Sequence, residues 1–176
     1  MTAAAAGVTG TLLVDTNVIL ECWRIGAWRA LSKGYRVETV EDCVVETQTG
    51  FQRRRREEQI DNEELRSSLA AVHDVTDRER AVGLVRDPLF STLDLGEQSL
   101  WAHALSRQDD VWILCGPDKA SMRFGIRCGF RDRLHALERL LKDAGYKSKA
   151  LKTPYTSSWL DKTLGQLVML EGKIRP

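Results

Sequence analysis

The chain has 176 residues, of which 43% are hydrophobic and 29% charged, and 26 basic against 25 acidic side chains give a formal net charge of +1. These values exclude a disordered, fibrous or large multidomain protein and fit one globular domain. No segment approaches the ~20 apolar residues of a membrane span, and the alanine-rich start lacks the regions of a signal peptide. The four cysteines have no C-x-x-C spacing, which favours buried free thiols over a zinc site. We therefore expect a cytoplasmic protein with a loose tail over residues 1–10.

Short apolar runs alternate with amphipathic stretches along the chain, which predicts an α/β fold with a mostly parallel sheet. The first apolar run begins at Thr11, and helical spacing follows from Asn17, a good cap, to about Leu31. Further strands are predicted over 35–40, 72–75, 111–115 and near Cys128. Further helices are predicted over 41–47, 62–71, 78–85, 95–105, 119–127, 134–141 and 157–170. Residues 11–145 are the expected domain, and residues 146–176 are an extension whose amphipathic helix packs on it.

An acid interrupts the first apolar run at a position where an apolar residue is expected. Asp15 should therefore lie at the carboxyl end of the first strand, the edge of an open parallel sheet where ligands bind. Because burial of an unpaired carboxylate is unfavourable, a positive partner is expected, and a divalent cation is the first candidate. The alternative is a helix N-cap or another structural acid.

Three more acids stand in comparable places. Glu46 follows an apolar pair, Glu97 opens a helix with apolar residues at i+4 and i+7, and Asp118 closely follows the most apolar strand. Four carboxylates at one edge would repel one another without a cation, and hard oxygen ligands suit Mg²⁺ or Mn²⁺. The alternatives are a solvated helix residue for Glu46, an acid favoured by the helix dipole for Glu97, and a turn residue for Asp118.

Together these segments resemble the four acidic motifs of PIN-domain nucleases: Val14-Asp15-Thr16-Asn17, Glu46-x-x-x-Gly50, Leu95-Gly96-Glu97 and Gly116-Pro117-Asp118. Their order and intervals also match, from residue 11 to about residue 130. The resemblance implies a three-layer α/β/α fold with a central, mostly parallel sheet of four or five strands flanked by helices. It also implies a metal-dependent ribonuclease, and many small bacterial members are toxins of VapC-like type II toxin–antitoxin pairs.

The resemblance further implies that four acids bind Mg²⁺ or Mn²⁺ and act in catalysis: Asp15, Glu46, Glu97 and Asp118. Asp15 and Asp118 would be the principal ligands, and Asn17 would hold Asp15 or a bound water. Asp94, three residues before Glu97, competes for its role, since helix starts are uncertain by a residue or two. The implied reaction is hydrolysis of RNA by a metal-activated water. An antitoxin protein and a second copy of the chain are the implied partners besides RNA.

Basic residues offer candidate RNA contacts outside the four motifs. The most prominent is a run of four guanidiniums, Arg53-Arg54-Arg55-Arg56. Glu57 and Glu58 follow at once, so a solvated, ion-paired helical face is the alternative. Lys119 and Arg123 follow Asp118 on the same helix and are two further candidates for phosphate contact.

Two other functions stay open at this stage. A catalytically silent PIN-like module would bind RNA or protein without cutting, although four intact acids argue against it. A small-molecule α/β phosphohydrolase of haloacid-dehalogenase-like type also starts with an acid at a strand end. That chemistry needs a second acid two residues later, where this chain has Asn17. The three histidines, His73, His103 and His135, are expected to be structural.

Overall fold

The computed structural model describes residues 10–108, 111–147 and 150–174. Within these ranges the sheet consists of four strands: β1 (Thr11–Val14), β2 (Arg36–Val40), β3 (Ala71–His73) and β4 (Trp112–Cys115). All neighbouring strands are parallel, in the order β3-β2-β1-β4. The chain thus builds outward from β1 in one direction and then crosses back to place β4 on its other side. The crevice between β1 and β4 is the topological switch point, where ligands of open α/β sheets bind.

Helices cover both faces of this sheet, so the fold is the expected three-layer α/β/α arrangement. The α-helices of the described residues are α1 (Thr16–Arg24), α2 (Trp28–Gly34), α3 (Glu41–Gln48), α4 (Asn62–Ser68), α5 (Asp77–Arg86), α6 (Leu95–Ser106), α7 (Lys119–Arg127), α8 (Leu137–Asp143) and α9 (Ser157–Ile174). None of these helices has the length and apolar character needed to cross a membrane.

Strands β1, β2 and β4 are largely buried on both faces, whereas the edge strand β3 is half-buried. The side chains of β1 alternate between two hydrophobic cores. Leu12 and Val14 of β1 face a core shared with α1, α2 and α8. Leu13 faces the opposite core, where Trp101 of α6 and Phe124 of α7 are fully buried. The two cores fix the sheet between two helical layers, so the carboxyl ends of the strands form a rigid edge.

The last helix packs on this second core. Leu164 and Leu167 of α9 are buried in it. Glu171, also buried, forms ion pairs with Arg123 and Arg127 of α7, the latter at 3.0 Å between Nη1 and Oε2. The residues that follow α8 therefore contribute to the same hydrophobic core and add a buried ion-pair network.

Three local predictions are wrong. The helix expected from Asn17 to about Leu31 is two helices, because Gly26 adopts a left-handed φ of +71° that ends α1 and turns the chain into α2. The strand expected near Cys128 does not form, because this residue ends α7; Leu134 instead makes an isolated parallel bridge to β4. Asn17 is not a cap, since Asp15 caps α1.

Two expectations about other parts of the chain have different outcomes. The four cysteines (Cys22, Cys43, Cys115 and Cys128) are buried free thiols, as predicted. The predicted tail over residues 1–10 lies outside the described residues except for Gly10.

Candidate functional site

Three helices begin at the carboxyl edge of the sheet, and an aspartate caps each of them. Asp15 caps α1, Asp94 caps α6 and Asp118 caps α7. In all three, Oδ1 accepts a hydrogen bond of 2.9 Å from the backbone N–H of the third helical residue. No described residue hydrogen-bonds the second carboxylate oxygen of these aspartates. The N-cap role and a ligand role are therefore compatible, because capping uses one oxygen and leaves the other available.

Two glutamates lie among these caps. Glu97 Oε2 accepts a hydrogen bond of 3.2 Å from the backbone N–H of Asp94, which completes a capping box. Glu46 of α3 accepts from the Thr16 hydroxyl at 2.6 Å and from the Gly96 N–H at 3.1 Å. A Cβ at position 96 would lie 2.7 Å from Glu46 Oε2, so only glycine permits this approach. Glu46 therefore connects α3 with the first turns of α1 and α6.

The two buried acids, Asp15 and Glu97, both have raised pKa values. Burial raises the pKa of Asp15 to about 7; the carboxylates of Asp94, Asp118 and Glu46 add to this, against the hydrogen bond from the helix. Burial also raises the pKa of Glu97 to about 8, with contributions from Asp118, Asp94 and Asp15. Both groups therefore hold protons near neutral pH that a cation would displace.

The donor set fits a hard divalent cation. All five side chains offer carboxylate oxygens, and no lysine or arginine of the described residues pairs with any of them within 4.0 Å. No three of these acids have ligand atoms that all lie within 4.8 Å of one another, within the part of the chain the structure describes. Coordination partly through water, which Mg²⁺ retains readily, suits this spacing.

A second buried carboxylate, at Glu38 of β2, has a different environment. His73 Nε2 lies 2.7 Å from Glu38 Oε2, Arg107 Nη1 donates to the same oxygen at 2.9 Å, and Arg36 Nε donates to Oε1 at 2.8 Å. Burial alone would raise the pKa of Glu38, but these three partners outweigh it and lower the pKa. The His73 and His103 rings stack at 3.8 Å. We call this group of five residues the Glu38 cluster.

The Glu38 cluster has ligand spacing compatible with a metal, since ligand atoms of Glu38, His73 and His103 all lie within 4.8 Å of one another. Arg107 argues against an ion there, because its Nη1 lies 2.9 Å from Glu38 and 3.2 Å from His103 Nε2. A guanidinium already supplies the positive charge at that point. We therefore assign the cluster a structural role, as expected for its histidines. The sequence did not indicate that His73 and His103 contact each other.

The remaining residues singled out in the sequence have separate surroundings. Asn17 is exposed, and its side chain makes no hydrogen bond to a described residue, whereas the neighbouring Thr16 contacts Glu46. Lys119 is exposed at the start of α7, but Arg123 is engaged by Glu171.

Arg54 donates to the backbone carbonyls of Glu46 and Thr47, and the other three arginines of the run are exposed. The contact of Thr16 with Glu46 could not be predicted from the sequence, because a threonine next to an aspartate has no distinctive spacing.

Comparisons of the chain with protein-family models, curated proteins and solved structures gave no match.

Proposed function

We propose that this chain is a PIN-like ribonuclease that depends on a divalent metal and hydrolyses RNA phosphodiester bonds. The observation that supports it is the pair of buried acids, Asp15 and Glu97, whose charge no cationic side chain of the described residues neutralises. Protein carboxylates that serve only stability are normally paired when buried. Carboxylates converging at a switch point without such partners favour a cation supplied from solution.

Asp15 and Asp118 would be the principal ligands of Mg²⁺ or Mn²⁺, with Glu46 and Glu97 completing the set directly or through water. An ion held by these residues would lower the pKa of a coordinated water and neutralise charge on the scissile phosphate. The chain itself contributes the positive ends of α1, α6 and α7, which favour a phosphate at this edge. Thr16 and Gly96 fix the Glu46 carboxylate, so it needs little reorganisation.

The role as a type II toxin, with an antitoxin and a second copy as partners in the cytoplasm, is a further part of this proposal. It follows from the resemblance and not from the acids themselves. Two alternatives make different predictions: a silent binding module would bind RNA without cutting it, and a small-molecule phosphohydrolase would release phosphate from simple monoesters.

The test is cleavage of a pool of single-stranded and structured RNA with Mg²⁺, Mn²⁺ or EDTA by three proteins: wild type, Asp15→Asn and the control Asp161→Asn. Asp161 is exposed on α9, so the control removes the same charge from another surface. We expect cutting by wild type and control that needs metal, and a loss of more than about a hundredfold in Asp15→Asn, since even an outer-shell partner of a metal contributes 10–100-fold. A folded wild-type protein that cuts no RNA under any metal would contradict the proposal. Release of phosphate from p-nitrophenyl phosphate would favour the phosphohydrolase instead.

A further inference from the structure

The segment between α3 and α4 carries four consecutive arginines, which the structure divides into two kinds. The backbone there forms two short 3-10 turns, Phe51–Arg53 and Arg56–Glu58, rather than an α-helix. The i,i+4 pairing of arginines with Glu57 and Glu58, which a helix would produce, therefore does not form. The ion-paired helical face considered from the sequence lacks its structural basis.

Arg54 faces inward and contacts the backbone of α3. It is partly buried, and its guanidinium donates to the carbonyl of Glu46, at 2.7 Å from Nη2, and to the carbonyl of Thr47. These carbonyls lie in the last turn of α3, at the end of the helix that carries partial negative charge. Arg54 therefore attaches the arginine segment to the helix that carries Glu46.

The other three arginines face solvent: Arg53, Arg55 and Arg56. No acid of the described residues lies within 4.0 Å of their guanidiniums, and Glu58 pairs instead with Lys152 at 3.6 Å. Three unneutralised guanidiniums within four residues repel one another and attract an anion. Guanidinium groups bind phosphate in bidentate fashion, which makes a phosphate-rich ligand the best match.

An aromatic ring lies beside these charges. Gly50 adopts a left-handed φ of +70° that turns the chain out of α3, and Phe51 follows it, half-buried. A surface depression is lined by Gln48, Thr49, Gly50, Phe51, Gln52 and Arg53. Phe51 and Arg53 thus line the same depression, and an aromatic ring beside a guanidinium suits an unpaired base that stacks while its phosphate is held.

The arginine segment is attached to the helix that carries Glu46. Gly50 follows Glu46 by four residues, and Arg54 Nη2 donates to the Glu46 carbonyl at 2.7 Å. RNA bound to the segment would therefore lie against the same helix that carries the Glu46 carboxylate.

We propose that the segment 51–56 binds single-stranded RNA, with Arg53, Arg55 and Arg56 on successive phosphates and Phe51 stacking on one base. Arg54 is a positioning residue that holds the end of α3 and hence Glu46. The inference rests on the proposed function to the extent that this RNA is the strand that the acids cut.

Binding is tested without cleavage, by fluorescence anisotropy of a labelled single-stranded RNA of mixed sequence in EDTA. The variant R53A/R55A/R56A is compared with R29A/R78A/R131A, which removes the same charge from arginines that are also exposed but lie elsewhere. We expect the loop variant to bind about tenfold more weakly, and its dependence of log K on log salt to become shallower by about 2. Phe51→Ala should weaken binding without changing the salt dependence.

Three results would count against the inference. Equal weakening by both triple variants would mean that only net charge matters, and wild-type protein that binds no RNA would remove the site altogether. Tighter binding to duplex RNA than to single strands would contradict the stacking on Phe51. Circular dichroism melting of each variant ensures that lost binding is not lost folding.

Arg54 is tested by cleavage kinetics, where Arg54→Ala should lower kcat with an unchanged salt dependence of binding, and Arg54→Lys should restore part of it. An unchanged kcat, or a loss expressed only in KM, would remove the positioning role.

The failures of the two proposals are distinguishable. RNA binding through the segment without any metal-dependent cutting would contradict the nuclease and leave the binding site intact. Metal-dependent cutting with the same KM in wild type and R53A/R55A/R56A would contradict the binding site and leave the nuclease intact.

Discussion

Two groups of buried carboxylates lie on or beside the same sheet, and cationic side chains neutralise one group but not the other. Glu38 has three partners from three elements, β2, β3 and the end of α6, and its pKa is lowered. Asp15 and Glu97, at the carboxyl edge, receive only backbone hydrogen bonds from the described residues, and their pKa values are raised to about 7 and about 8. Burial is severe in all three, with exposed fractions of 2% for Glu38, 4% for Asp15 and 8% for Glu97.

Under the proposed function, this difference separates carboxylates that stabilise the fold from carboxylates that bind a cation. A carboxylate that stabilises the fold is neutralised by the protein itself, because an unpaired buried charge is unfavourable. A carboxylate that binds a cation must remain without a cationic side-chain partner, and the folded protein is less stable at neutral pH until the cation is bound. The comparison predicts that substitutions and pH changes alter the free energy of unfolding in opposite directions at the two groups of carboxylates.

The largest expected effect comes from neutral, isosteric substitutions at the two sites. Glu38→Gln removes the buried negative charge that His73, Arg107 and Arg36 contact, so we expect a loss of about 3 kcal/mol in the free energy of unfolding. Asp15→Asn keeps an N-cap and removes a repulsive charge, so we expect no loss, or a gain of about 1 kcal/mol, in EDTA at pH 8. Urea unfolding of both variants measures this. Similar losses in both variants would mean that the two groups of carboxylates do not differ in the way argued.

The second prediction concerns alkaline pH without metal. Because the pKa values of Asp15 and Glu97 in the folded protein exceed their ordinary values of 3.8 and 4.5, the folded chain holds these protons more tightly than the unfolded chain. The resulting stabilisation is complete at low pH and is lost as pH rises through about 7 and 8. We expect unfolding free energy to fall by about 2 kcal/mol from pH 6 to pH 8 in EDTA, within the limit of about 1.4 kcal/mol per pH unit for each group. Millimolar Mn²⁺ should abolish the fall, and Asp15→Asn should reduce it; a flat profile in EDTA would contradict the raised pKa values.

The third prediction concerns the acid side of the same profile. Burial, with the neighbouring His73 and Arg107, lowers the pKa of His103 from 6.5 to about 4. Its contribution to stability is therefore complete above pH 6.5 and is lost as pH falls toward 4. We expect the free energy of unfolding to fall by about 1 kcal/mol over this range, since His103 is only partly buried. The stability profiles of wild type and His103→Gln should therefore differ at acid pH by this loss and run parallel at alkaline pH.

The sequence predicted the acidic edge better than the Glu38 cluster, for a physical reason. Asp15 interrupts an apolar run and directly follows a strand, so its place at the sheet edge depends only on local pattern. Glu38 stands in an alternating strand at a position that is typical of a solvent-facing side chain. Its burial depends on α6, which is distant in the sequence and brings His103 and Arg107 onto it. No local pattern carries that information.

The elements themselves followed the same rule. Buried parallel strands and capped helices were predictable, because apolar runs and N-cap residues act over a few residues. The break at Gly26 was missed, since the helical spacing of apolar residues continues through it and only the backbone angle reveals the turn. Arg54 cannot be told from its three neighbours by residue type, because the difference depends on the 3-10 turns that direct it inward.

The smallest expected effect distinguishes Asp94 from Glu97 as the third acid of the proposed metal site. Asp94 is exposed and caps α6, so Asp94→Ala should lose about 1 kcal/mol of stability, whereas Asp94→Asn keeps the cap and should change it by less than about 0.5 kcal/mol. Glu97 is the buried member of the capping box, and no cationic side chain of the described residues neutralises it. We therefore expect Glu97→Gln to weaken Mn²⁺ binding, measured by calorimetry, more than Asp94→Asn does. The reverse order would assign the ligand role to Asp94 and leave Glu97 as part of the cap, which would bring it closer in kind to Glu38.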